Sequence, residues 1–244
     1  MATAVVIGGL IMMPSATAAP VEYTDGHGDI GLAFENGELE LHYHFGDGAV
    51  LDGSSLIGDA EFDPDEAYVR VADAARSVVN GSVPFLGLTA GDEAWVLPQS
   101  NTTGLPFLGI AAEELDSSFS SASLTLSSFS GPGEFAIWQD GGLGGANVRM
   151  QTVDGISSAD VIGLGIGGHD HYNYGFTAEG VYTVGITAEA DFAAGGSVTD
   201  FGELTFVVGS VTAVPEPTSM AALAVIGGVA AVGRRRRSSR VARG

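Results

Sequence analysis

Between residues 20 and 213 the apolar side chains fall in short alternating runs broken by glycine, and this periodicity limits the chain most. The clearest run is Glu38 to Phe45, ELELHYHF. In an extended chain successive side chains point to opposite faces. Leu39, Leu41, Tyr43 and Phe45 therefore make an apolar face, and Glu38, Glu40, His42 and His44 a polar one. The preceding run, Asp29 to Glu35, reaches it through Asn36-Gly37, the pair favoured where both turn residues need positive φ. A hairpin is predicted. The spacing predicts further strands at Glu93 to Leu97, Ser123 to Phe129, Glu134 to Gln139, Val148 to Val153 and Leu204 to Val211. His169 to Phe176 and Val181 to Ala190 read as a last hairpin turned at Glu179-Gly180. Residues 46–66 and 98–106 read as loops, and Ala67 to Val79 as a strand or a helical turn. Seven or more short strands in one stretch of about 195 residues predict an all-β fold, an antiparallel β-sandwich of Ig-like or jelly-roll-like type.

Charge narrows the partners. From 20 to 213 there are 29 acidic residues against three arginines, Arg70, Arg76 and Arg149, and the chain has no lysine. Such a surface repels nucleic acid and anionic headgroups and attracts cations. With no cysteine, disulfides and thiolate chemistry are excluded.

The two ends have a different character. Residues 1–19 carry an apolar core, Ala4 to Met13, followed by Ala16-Thr17-Ala18, the pattern of a secretory signal peptide without its basic start. At the other end Pro215-Glu216-Pro217 precedes an uncharged run, residues 218–233, and then Arg234-Arg235-Arg236-Arg237. An apolar run closed by arginines reads as a short membrane helix with its basic end cytoplasmic. It is shorter than the roughly 20 residues of a comfortable span. Three segments follow: 1–19 a signal peptide, 20–213 an exported domain, and 214–244 a tail. The tail resembles the PEP-CTERM sorting signal of Gram-negative bacteria. That resemblance implies an exosortase-type membrane enzyme as partner, transient anchoring in the inner membrane through 218–233, and delivery to the cell surface or extracellular matrix.

Chemistry points to histidine. All five are grouped: His27, then His42-Tyr-His44, then His169-Asp-His171. Residues two apart on a strand share a face, so each His-x-His presents two imidazoles side by side. Imidazole is a preferred ligand for zinc, copper and nickel. The carboxylates near the histidines in sequence are Asp25, Asp29, Glu40 and Asp170; Glu40 shares the face of His42 and His44 and is the better candidate, whereas Asp170 alternates away from its neighbours. A divalent metal, zinc first, is expected where the two pairs meet, with His27 and Glu40 as further ligands. The glycines at 163, 165 and 168 satisfy G-x-G-x-x-G formally, but no βαβ context follows. Asp63-Pro64-Asp65-Glu66 lacks the spaced ligands of a calcium loop. No nucleophile elbow or distinguished carboxylate pair suggests catalysis.

A second resemblance, to the choice-of-anchor M surface domain, rests on ordered pieces. They are Gly26-His27-Gly28-Asp29-Ile30, Pro84-Phe85-Leu86-Gly87, Trp95-Val96-Leu97-Pro98-Gln99, Gly131-Pro132-Gly133-Glu134-Phe135, the stretch from Gly168 to Thr177, and Gly180-Val181-Tyr182. Tyr174 stands where tryptophan is expected. The resemblance implies an exported surface domain, in some members associated with zinc or manganese uptake. The expectation is a non-enzymatic surface protein that binds a transition metal. Its alternatives are a structural or adhesive matrix protein binding calcium or polysaccharide through its acidic surface and, last, a secreted hydrolase.

Overall fold

The computed structural model describes residues 19–141 and 145–211. The expected signal peptide, apart from its last residue, and the tail with its apolar run 218–233 lie outside them. Among the described residues no helix is long and apolar enough to cross a membrane.

In chain order the strands are β1 (Val21–Glu35), β2 (Glu38–Phe45), β3 (Val50–Leu51), β4 (Ser54–Ser55), β5 (Ala60–Phe62) and β6 (Ala67–Val71). Next come β7 (Arg76–Val78), β8 (Glu93–Leu97), β9 (Pro106–Ala111), β10 (Phe119–Ser130), β11 (Phe135–Asp140) and β12 (Ala146–Gln151). The last are β13 (Val161–Leu164), β14 (His169–His171), β15 (Asn173–Phe176), β16 (Gly180–Phe192) and β17 (Ser197–Val208). They form one twelve-stranded and one five-stranded sheet.

The larger sheet has two arms that share β1. Its first residues, Val21 to Asp25, pair with β6 and β3, in the arm that continues through β17, β16, β10 and β13. At Gly26, with φ of 86°, the strand passes into a second arm, β14-β9-β1-β2-β5. The five-stranded sheet runs β12-β11-β15-β8-β7. Apolar faces of all three layers meet in a common core. Leu41 and Tyr43 come from β2, Phe206 and Tyr182 from the first arm, and Phe135, Tyr174 and Phe176 from the small sheet. The arrangement is all-β and sandwich-like, as alternation predicts.

The Asn36-Gly37 hairpin forms in the predicted register, Glu35 opposite Glu38, with φ of 53° and 93° at the two turn residues. These are the two positive values of a type I′ turn. Other expectations are corrected. Pairing is not purely antiparallel: β1 runs parallel to β6 and to β9, and β17 parallel to β6. Residues 106–111 follow a Pro/Gly-rich loop and are apolar without alternation, yet they form β9, buried between β1 and β14. Its outward positions, Phe107, Gly109 and Ala111, are apolar or bare like its inward ones, so the run carries no period-2 signal. Residues 46–66 contain the short β3, β4 and β5. After β6 the chain makes one 3₁₀ turn, Asp73–Ala75, before β7. The predicted hairpin of His169 to Phe176 with Val181 to Ala190 is absent. The first segment breaks at the buried Tyr172. Its halves join different sheets, β14 beside β9 and β15 between β11 and β8, while β16 pairs with β10 and β17.

Candidate metal centre

The outward face of the second arm collects every histidine of the protein. On β1 the core side takes Ile30 and Leu32, so alternation turns His27, Asp29 and Gly31 outward. On β9 Leu108 and Ile110 are buried in the core, leaving Phe107, Gly109 and Ala111 outside. Register then builds two rows. The first runs His171, Gly109, Asp29, His44, Glu61 across five strands. The second runs His169, Ala111, Gly31, His42 across four. Glycine or alanine stands between the histidine strands in both rows, so long side chains can lean toward one another over a bare backbone.

Gly109 shows the need most directly. A Cβ there would collide with Asp29 Oδ1 and sit 2.9 Å from His169 Nε2 and 3.1 Å from His171 Cε1. Asp29 reaches across this gap to the histidines of β14. His169 Nε2 lies 2.9 Å from Asp29 Oδ1, His27 Nε2 lies 3.5 Å from Asp29 Oδ2, and the two Nε2 atoms of His169 and His171 are 3.1 Å apart. One ligand atom from each of the four residues falls within 4.8 Å of all the others. A tetrahedral zinc shell with ligand bonds of about 2.0–2.1 Å sets its donor atoms about 3.3–3.4 Å apart. The observed separations bracket that value.

Electrostatics suit a cation. Asp29 is 4% exposed, and its Oδ1, although 2.9 Å from His169 Nε2, accepts no well-aligned hydrogen bond; His171 Nδ1 is likewise buried without one. Buried polar atoms normally find one. Burial raises the Asp29 carboxyl above the usual carboxylate range, against the opposing pull of His27, His169 and His44. Burial also pushes the His171 imidazole down to about 4, assisted by the charges of His169 and His27. A neutral imidazole is the form that binds a metal. Its ring is held flat against Phe107, with centroids 3.5 Å apart and planes 1° from parallel. Glu113 Oε2, 3.5 Å from His169 Nδ1, occupies the place of the outer carboxylate that orients a ligating histidine.

His42 and His44 do not join this group. Glu114 Oε1 sits 3.3 Å from both His42 Nε2 and His44 Nδ1, and with Glu61 these residues make a second group. The two His-x-His pairs thus share a face but divide between two clusters, with His27 in the first. Glu40 belongs to neither: its exposed carboxylate lines a cleft beside His42 and Glu61. Asp170 is exposed on the opposite face, as alternation predicts. Sequence reasoning set Asp29 aside in favour of Glu40 and missed Glu61, Glu113 and Glu114 as members of these groups. Asp29 was within reach, two residues from His27 on one strand. The glutamates carry no such signal, because they arrive by pairing of β5 with β2 and by the turn after β9.

The tail adds the address. Residues 213–237 match the PEP-CTERM protein-sorting motif. This span holds Pro215-Glu216-Pro217, the apolar run and all four arginines of 234–237. No curated protein matches the chain. The PEP-CTERM motif implies export, membrane-associated sorting toward the cell surface and handling by an exosortase-type enzyme. In a chain without cysteine, imidazole and carboxylate are the remaining strong metal donors, and both are gathered on this one face.

Proposed function

We propose that the β-domain of this PEP-CTERM protein is a surface-displayed module that binds zinc through His27, Asp29, His169 and His171. The grouping of three imidazole nitrogens with the buried carboxylate of Asp29, all within 4.8 Å of one another, carries the reading. Three nitrogens and one oxygen at tetrahedral spacing suit zinc, whereas calcium takes six to eight oxygens. Four protein ligands complete a tetrahedral shell and leave no open position of the kind that catalytic zinc keeps. The module therefore acts by holding the ion rather than by turning over a substrate. Calorimetric titration of the purified protein with zinc tests this. His169→Ala and His171→Ala are each expected to remove the tight phase. Unchanged affinity in the double variant eliminates β14 as a source of ligands.

A further inference from the structure

We infer that the neighbouring cluster on β2 is a second transition-metal site, formed by His42, His44, Glu61 and Glu114 and more exposed than the first. Its geometry is that of a ligand set. Both imidazole nitrogens stand 3.3 Å from a single carboxylate oxygen, Glu114 Oε1. That is long for a hydrogen bond to a carboxylate but equals the donor spacing in a tetrahedral zinc shell, about 3.3 Å. The position of His42 is built into the fold. Its ring lies over Gly31, where a Cβ would approach Nε2 to 2.6 Å, and its side chain is only 7% exposed. Gly31 thus serves His42 as Gly109 serves Asp29.

The second site is the more exposed of the two: Glu61 and Glu114 are exposed residues, whereas no member of the first group is. His44 and Glu114 are each about a third exposed, and beside His42 lies a cleft of about 140 Å³ bordered by five carboxylates, Glu35, Glu40, Glu61, Asp63 and Glu66. Two imidazoles and the carboxylates of Glu114 and Glu61 supply four donors within 4.8 Å of one another, as in the first group. The acidic cleft concentrates cations beside His42. An ion here exchanges with the medium more readily than one at the first site.

Zinc titration of the full chain, with bound metal counted after dialysis, tests the assignment. Glu114→Gln and His44→Ala each lose one equivalent, and His171→Ala keeps that equivalent. Both substitutions fall on partly exposed side chains, and an unchanged far-UV circular dichroism spectrum certifies the fold. Stoichiometry that neither variant lowers overturns the inference, whatever His171→Ala does to the first site. So does an equivalent that a large excess of calcium displaces, because that marks diffuse attraction to carboxylates.

Discussion

Gly109→Ala isolates the geometry of the first cluster from its chemistry, because it removes no ligand. The backbone at Gly109 has no positive φ to strain, so the effect is steric. Ordinary contact begins near 3.4 Å, and the new methyl would stand 2.9 Å from His169 Nε2 and closer still to Asp29 Oδ1. His169 must then retreat by about 0.5 Å and Asp29 by more, whereas a metal site tolerates about 0.2 Å. The obstacles are side-chain ends that can swing aside, so metal-free stability should fall by no more than the roughly 1–3 kcal/mol of modest overpacking. Zinc affinity should drop at least 10–100-fold, the range seen when support around a metal is removed, or about 1.4–2.7 kcal/mol. Calorimetry gives the affinity, and thermal melts with and without zinc give a second reading. At a free zinc concentration 100 times its Kd, the native protein gains about 2.7 kcal/mol from the ligand, and the variant should lose about 1.3–2.3 kcal/mol of that. Gly163→Ala is the control, since a Cβ there meets nothing within 4 Å. Native zinc affinity in Gly109→Ala would refute the claim that Asp29 and the β14 histidines converge through this gap.

Three other outcomes are expected. His171 has a folded-state pKa of about 4 against an ordinary 6.5, so the unfolded chain takes up this proton first. The metal-free protein should then lose stability as pH falls through 6.5, levelling off below about 4. The loss is about 1–2 kcal/mol once half-exposure is discounted, and denaturant melts should show that window flattened in His171→Phe. Gly37→Ala forces a side chain into φ of 93° with no compensating contact; a loss of about 1–3 kcal/mol in urea unfolding is expected, and none at all would contradict the turn. Replacing Pro215 and Pro217 by alanine should leave the apolar tail attached, read as a larger mass and membrane retention of the surface protein. Normal release would separate the motif from processing.

The β1–β2 hairpin and the outward placement of His42 and His44 were legible because their determinants are local: an Asn-Gly turn and strict alternation. The interruption at Tyr172 was not. His169 to Phe176 reads as one extended run, and only the competition between β9 and the β8/β11 pair for its backbone divides it. The same limit hid β9, whose run is apolar or bare on both faces and carries no period.

What the sequence determined by itself was a set of faces and an address. Alternation decides which way each side chain points from its own strand, and the tail motif is read linearly. Which histidines share an ion was decided only by register. His27 and His171 stand 144 positions apart and meet because β9 lies parallel to β1 and antiparallel to β14, with Gly109 between them. Sequence spacing does not encode that alignment. It follows from which strands bury their other face together, and that is a property of the whole core.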